Sequence, residues 1–159
     1  MAILAKLFAE MNSCKYLFLR NMTEPDENSL RLVIEEASAS GVPQPIKIGD
    51  IELGEGVPIR STRESRLFEI IWHHYIAYSV RNESYTARDK YDEVDWGELV
   101  CGYSKSRFLD YFSQATFASA VHPGPFQHIR VVCQNHVIDI ASTEIPRIER
   151  LRPSESLGR

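Results

Sequence analysis

Residues 67–80 constrain the fold more than any other part of the sequence. The stretch is apolar, aromatic and β-branched, and it contains neither glycine nor proline. Such residues favour an extended backbone, in which successive side chains point to opposite faces. Because the stretch is long for a single strand, we predict a bend or bulge near His73 and His74. A helix over the same residues is the alternative.

Shorter patterns predict further strands and two helices. Alternating or compact apolar runs predict strands over residues 16–20 and 30–35, a short hairpin over 46–53 and a terminal hairpin over 129–141. Apolar residues at helical spacing predict one helix within the first 12 residues and a second over residues 107–117. Ser104 or Ser106 is a suitable N-cap for the second helix.

The order of these elements predicts an α+β fold. Short links between neighbouring strands favour antiparallel pairing. We therefore predict a strongly curved antiparallel sheet, or a small open barrel, with about two helices covering one face or one end. The chain of 159 residues is long enough for one domain. We place this domain at residues 1–146, followed by a polar, locally basic tail at residues 147–159.

Composition excludes several classes of function. The net charge of −4 argues against a general nucleic-acid-binding protein. No apolar run approaches the roughly 20 residues that a membrane span requires. Lys6 and Glu10 interrupt the N-terminal apolar residues, which do not match a secretory signal. The three cysteines form no CxxC pair and indicate reduced thiols. We predict a cytoplasmic protein that binds neither nucleic acid nor membranes.

Several motifs occur together in the second half of the chain. They are WHHYIAYSVRNESY at residues 72–85, FLDY at 108–111, PGPFQH at 123–128 and NHVID at 135–139. Together these motifs resemble a group of small bacterial proteins of uncharacterised function, over about residues 65–142. The resemblance implies a bacterial, single-domain, soluble protein, and it implies no activity.

The sequence offers no motif for catalysis or for a cofactor. Neither GxGxxG nor a phosphate-binding loop occurs, and GYSKS at residues 102–106 departs from GxSxG at its last position. Four residues of the terminal hairpin could in principle bind a metal, but their spacing matches no metal motif. They are His128, Cys133, His136 and Asp139. We predict a packed hairpin at this point, with no metal, no cofactor and no catalytic residue.

Residues 88–98 combine acidic and aromatic side chains. Five carboxylates accompany two cationic residues, and an aromatic pair lies among them. Aromatic anchors with carboxylates around them are typical of a surface that docks a basic protein, although a solvated loop is the simpler alternative. We predict a non-enzymatic binding protein that engages another protein here, by analogy with immunity-type inhibitors. The predicted contact residues are Asp89, Tyr91, Asp92, Glu93, Asp95 and Trp96.

A small-ligand pocket is the alternative function. Aromatic residues of the predicted strands could line a concave face with charged residues at its rim, although most aromatic strand residues are simply core. The alternative is a small-ligand-binding protein or an unrecognised hydrolase that uses Tyr78, Arg81, His128 and His136. Long antiparallel edges can also pair across a two-fold axis, so that a homodimer is open to the chain.

Overall fold

A computed structural model describes residues 2–152, with the side chains of residues 5–152. The helices are α1 (Ala2–Asn12) and α2 (Arg107–Ala115), and a 3-10 turn lies at Glu83–Tyr85. The strands are β1 (Tyr16–Thr23), β2 (Leu30–Ala39), β3 (Gln44–Ile48), β4 (Ile51–Gly56), β5 (Ile59–Arg60), β6 (Leu67–Trp72), β7 (Ala77–Asn82), β8 (Glu93–Trp96), β9 (Val100–Lys105), β10 (Gln127–Val132), β11 (His136–Ser142) and β12 (Arg147–Leu151). Neither of the described helices has the length and apolar character needed to cross a bilayer.

The strands form two five-stranded antiparallel sheets and a separate hairpin. The first sheet has the order β1-β2-β6-β12, with β5 beside the end of β2. The second sheet has the order β7-β11-β10-β9-β8, and β3 pairs with β4 alone. The α+β class predicted from the sequence is confirmed. In place of one curved sheet or an open barrel, the chain forms two sheets that do not close.

The predicted bend at His73 and His74 carries the chain from one sheet to the other. β6 lies in the first sheet and β7 in the second. Between them, the N–H of Tyr75 donates to the carbonyl of Asn28, beside the first sheet. The N–H of Ile76 donates to the carbonyl of Ala141 in β11 of the second sheet. Residues 67–80 are therefore two strands, because the backbone changes its hydrogen-bonding partners at this point.

The hydrophobic core lies between the two sheets. Its first-sheet side includes the fully buried Phe68, Ile70 and Trp72, which alternate along β6. The second sheet contributes a matching set from β10 and β11, namely Ile129, Val131, Ile138 and Ile140. Fully burying an aliphatic or aromatic side chain of this kind contributes about 1.5–3 kcal/mol. The alternation that predicted strands therefore also selects the face that each strand buries.

The end of α2 and the structure of residues 147–151 differ from the sequence prediction. α2 ends at Ala115, because Thr116 is extended and both its N–H and its hydroxyl bond to the carbonyl of Phe112. Residues 147–151, predicted as part of a tail, form β12 antiparallel to β6. The side chain of Ile148 is buried in the core, which fixes this strand at the sheet edge. Residues 153–159 of the predicted tail lie outside the described residues.

Asn12 fastens the end of α1 to the start of β9. Its Oδ1 accepts the N–H groups of Glu98, Leu99 and Val100 at 2.8–3.1 Å. Its Nδ2 donates to the carbonyls of Phe8 at 3.0 Å and Val100 at 2.9 Å. The side-chain amide of Asn12 thus makes five hydrogen bonds to backbone groups of α1 and of residues 98–100.

We expect Asn12→Ala to destabilise the protein by about 2–4 kcal/mol, because it leaves partly buried backbone groups without partners. Urea unfolding followed by tryptophan fluorescence measures the loss. Asn21→Ala on β1 is the matched control, since Asn21 is exposed, and it should change stability by less than about 0.5 kcal/mol. Equal stability of the Asn12 and Asn21 variants would contradict the role assigned to Asn12.

Candidate functional site

A group of polar side chains lies on the outer face of the second sheet. In the β10–β11 hairpin, Arg130 is directly opposite Asp139. His128 lies two residues before Arg130 and therefore shares its face, away from the core residues between them. α2 packs over this face of β10 and β11. The hairpin therefore gathers charged groups beneath a helix.

The Asp139 carboxylate is the centre of this group. It is 1% exposed. Its Oδ1 accepts hydrogen bonds from His128 Nε2 at 2.7 Å and Arg130 Nε at 2.6 Å, and its Oδ2 accepts one from Arg81 Nη2 at 2.6 Å. Burial raises the pKa of the Asp139 carboxyl, but the hydrogen bond from His128 and the positive charge of Arg130 outweigh burial and bring the pKa to about 2. The carboxylate is therefore ionised at neutral pH.

His128 links Asp139 to the start of α2. Its Nδ1 lies 2.9 Å from Ser106 Oγ, and Ser106 Oγ accepts the N–H of Leu109 as the N-cap of α2. Because ionised Asp139 only accepts, Nε2 carries the hydrogen in the neutral imidazole, and Nδ1 accepts from the Ser106 hydroxyl. The His128 ring also stacks on Tyr103, with 4.4 Å between ring centroids.

The sequence of contacts from Asp139 through His128 to Ser106 matches the order of groups in a serine hydrolase triad. However, Ser106 and His128 are fully buried, and the Ser106 oxygen caps the helix. A nucleophilic hydroxyl must reach its substrate, whereas the Ser106 side chain is 0% exposed and its oxygen is engaged by the helix. The three residues therefore hold α2 against the sheet.

A cleft of about 760 Å³ opens beside this polar group, between β7, residues 85–92 and α2. Its cationic side chains are Arg81, Arg88, Lys90, Arg107 and Arg130. Its acidic side chains are Asp89, Asp92 and Asp139, and its aromatic side chains are Tyr85, Phe108 and Tyr111. The lining thus carries a net charge of +2, whereas the whole chain carries −4.

Three of the cleft cations retain binding capacity. Arg81 bonds Asp139 through Nη2 only, and its side chain is 43% exposed, so that part of its guanidinium faces the cleft. Arg88 and Lys90 form no ion pair within residues 5–152. A guanidinium or ammonium group without a protein carboxylate is free to pair with an anion from solution.

The structure brings together two of the four residues predicted for a ligand pocket. Arg81 and His128 both bond Asp139. Tyr78 lies on the other face of β7 and packs against the core. His136 shares its face of β11 with core residues. Of the four, only Arg81 lines the cleft, and His128 lies beneath it.

The four candidate metal ligands of the terminal hairpin are also divided between two faces. His128 and Asp139 lie on the outer face, whereas Cys133 belongs to the core. Burial raises the pKa of the Cys133 thiol to about 12, which keeps it protonated. Among the residues described, no three His, Cys, Asp or Glu side chains are placed to hold a metal ion.

Cations outside the predicted docking segment, residues 88–98, neutralise part of its negative charge. Asp89 pairs with Arg107 at 2.6 Å, and Glu93 pairs with Lys105 at 3.1 Å. The same cations lie over the Tyr91 ring, with 4.2 Å from its centroid to Lys105 Nζ and 4.6 Å to Arg107 Cζ. These contacts join the segment to the start of α2 and to β9.

Two other residues of the segment face inward. Asp92 is largely buried, and its Oδ2 lies 3.8 Å from Arg130 Nη2. Trp96 packs on α1, with 4.8 Å between its ring and that of Phe8. It also covers Gly102, where an added Cβ would lie 2.3 Å from the indole Nε1. Asp95, by contrast, is exposed.

The sequence held a signal for the polar group that spacing arguments overlooked. A hairpin that turns at residues 134–135 places Arg130 opposite Asp139, and opposite charges at such positions stabilise a sheet. The sequence predicts the hairpin, and a turn at residues 134–135 within it gives this pair directly. The hairpin register does not predict that Arg81 and Ser106 approach this pair, because both residues come from other parts of the chain.

Comparison with known proteins identifies no relative. No family model, no curated protein and no solved structure matches the chain. What the protein binds must therefore be inferred from the geometry and charge of the described residues.

We expect the stability of the fold to fall between about pH 4 and pH 2 through Asp139. An aspartate in an unfolded chain has a pKa of about 3.9, and that of folded Asp139 is about 2. Because folding lowers this pKa, the ionised carboxylate makes its full contribution to the free energy of unfolding above about pH 4. This contribution falls by about 2 kcal/mol as the pH falls to about 2.

Urea unfolding at a series of pH values measures this dependence. Asp139→Asn should be destabilised at neutral pH by about 3–5 kcal/mol, because Arg130 and His128 lose their buried partner. It should also show a shallower loss of stability in acid. Asp26→Asn, which alters an exposed carboxylate between β1 and β2, should retain the wild-type profile. If Asp139→Asn lost stability in acid as steeply as the wild type, the pairing of Asp139 would not be the cause of that loss.

Proposed function

We propose that this protein binds a small anionic ligand, with a phosphate or carboxylate group, in the cleft between β7, residues 85–92 and α2. The observation that carries the proposal is the set of three incompletely paired cations, Arg81, Arg88 and Lys90, in a cleft of net positive charge. Cations that line a concave surface focus the electrostatic potential and attract anions even in an acidic protein.

The chemistry of the lining suggests how an anion would be held. The free part of the Arg81 guanidinium presents N–H donors in a plane, which suits two oxygens of a carboxylate or phosphate. Asp139 holds the other side of the same guanidinium, so that Arg81 needs little reordering to bind. Arg88 and Lys90, on the facing segment, would neutralise a second negative charge.

Two exposed aromatic residues suggest that the ligand also has an apolar part. Tyr85 is 88% exposed and Tyr111 is 62% exposed, and both line the cleft. Aromatic rings at the rim of a polar cleft can cover a ring or alkyl portion of a ligand. Because Ser106 and His128 are buried, we propose binding without chemistry.

We expect anions to raise the melting temperature of the protein. Inorganic phosphate, pyrophosphate and citrate are the probes, and chloride at equal ionic strength is the reference. A ligand about a hundredfold above its Kd should stabilise the fold by about 2.7 kcal/mol, or about 5 °C or more in Tm. Arg88→Ala/Lys90→Ala should lose this shift, because it removes two cleft cations.

The matched control is Lys15→Ala/Arg63→Ala, which removes the same charge from exposed positions outside the cleft. It should keep the wild-type shift. The proposal fails if none of the three anions shifts Tm beyond chloride, or if the cleft variant and the control respond alike. A larger response to citrate than to the phosphates would indicate a carboxylate ligand, and the reverse would indicate a phosphate.

A protein partner is the second candidate function. Asp95 and Glu98 are exposed at the end of β8, and neither forms an ion pair within the described part of the chain. β8 is an edge strand, and its Val94 is exposed. Exposed carboxylates beside an apolar residue would steer and contact a basic partner, such as the target of an immunity-type inhibitor.

We expect Asp95→Asn/Glu98→Gln to weaken capture of a basic protein by at least about tenfold, because two steering charges are lost. The measurement is a pull-down with the tagged chain from lysate of cells that naturally make it. Trp96 is left intact, since its ring packs on α1. The control, Asp26→Asn/Glu27→Gln, removes two exposed carboxylates elsewhere. Equal capture by both variants would eliminate this surface.

We also propose a reducing cellular compartment for this protein. Cys14, Cys101 and Cys133 are free and buried, which agrees with a reducing compartment such as the cytoplasm. Burial raises the pKa of all three thiols. A bacterial origin, suggested by the motifs, remains a prediction.

A further inference from the structure

The β3–β4 hairpin has little to hold it to the rest of the protein. Within the described residues, β3 and β4 pair only with each other. Every residue from 41 to 55 is exposed. A two-stranded hairpin is at best marginally stable in water without further packing. An element of this kind commonly gains its stability from a partner.

One face of the hairpin is apolar. Ile48 lies directly opposite Ile51, and Ile46 is two residues from Ile48 on the same face. Leu53 is the additional residue of a bulge next to Ile46. Ile48 is 67% exposed and Ile51 is 65% exposed, and the other two are each about half exposed. Ile46, Ile48, Ile51 and Leu53 form the aliphatic face of the hairpin.

The opposite face carries the charges of the hairpin. Lys47 pairs with Glu52 across the strands, and their charged atoms are 4.0 Å apart. Both residues alternate with the aliphatic side chains and therefore point away from them. A partner that covers the aliphatic face would not have to desolvate this pair.

We propose that the aliphatic face is the contact surface of a two-fold symmetric dimer of this chain. The proposal is independent of the ligand cleft. A two-fold interface uses the same patch from both copies, so the patch must be complementary to itself. An uncharged aliphatic face meets this condition, because two copies bring no like charges together.

The available area also fits a second copy. Four aliphatic side chains, with Val42 and Val57 at the base of the hairpin, expose several hundred Å² in each copy, more than scattered surface residues do. Two copies packed face to face would bury about 1,000 Å² in total, near the lower limit for a specific interface. We therefore expect a dimer of moderate affinity.

The sequence of β3 disfavours pairing between copies along the edge of that strand. Pro45 has no N–H to donate and blunts the outer edge of that strand. If the two hairpins cross in opposite directions, the Asp50 residues at their tips lie at opposite ends of the interface. This arrangement avoids repulsion between the tips.

The test is the mass of the full chain in solution, measured by sedimentation velocity over a wide concentration range. The wild-type protein should shift from monomer to dimer. Ile48→Asp/Ile51→Asp should raise the dimer Kd by about a hundredfold or more, because carboxylates would be buried against apolar side chains. The control, Lys47→Gln/Glu52→Gln, alters the opposite face and should dimerise like wild type.

A second measurement uses only the wild-type chain, in case the aspartate variant misfolds. Amide hydrogen exchange of residues 44–56 should slow as protein concentration rises, while exchange in the core strands stays constant. A wild-type protein that is monomeric at every concentration would overturn the proposal. Unchanged dimerisation of the aspartate variant, or exchange of residues 44–56 that is independent of concentration, would also overturn it.

Discussion

The arrangement of this protein depends most on the hydrogen bonds and ion pairs that the buried Asp139 carboxylate makes. A carboxylate removed from water is strongly unfavourable unless it is paired and hydrogen-bonded. Three side chains satisfy this one, from β7 (Arg81) and β10 (His128 and Arg130). These contacts require both neighbours of β11 in register. Through His128 they also fix the first turn of α2, because the imidazole bonds the serine that caps the helix.

The pairing of Asp139 also connects the stability of the fold to the proposed binding of an anion. Arg81 is held on one side by Asp139 and is open to the cleft on the other. A cation positioned in this way by a buried acid is already ordered before a ligand arrives, and less entropy is lost on binding. Residues 85–92 line one side of the cleft. Asp89 pairs with Arg107 of α2, and the neighbouring Glu93 pairs with Lys105 of β9. The outer face of the second sheet, the helix cap and the cleft therefore depend on one set of charges, whereas the β3–β4 hairpin lies outside it.

Local patterns predicted much of the fold. The terminal hairpin, the start of α2, the N-terminal helix and the bend at His73 and His74 were all visible in the sequence. The cap of α2 was predicted as Ser104 or Ser106, and it is Ser106. The division of residues 67–80 between two sheets was not, because alternation of polarity does not say which strand lies alongside. The strand at residues 147–151 was missed because its arginines resemble a solvated tail, while the single buried residue Ile148 holds it in place. The acidity of residues 88–98 was visible, but its neutralisation by Lys105 and Arg107 was not.

The sequence by itself determined where much of the backbone is extended or helical, and which side chains share a face along the strands that it predicted. These properties depend on neighbours only a few residues apart. The tertiary structure alone decided that Arg81, Arg88 and Lys90 converge on one cleft, that Tyr78 and His136 turn toward the core, and that the β3–β4 hairpin is left uncovered. The physical reason is that burial and charge pairing between distant segments are settled only when both sheets and α2 pack together, and no local pattern encodes that packing.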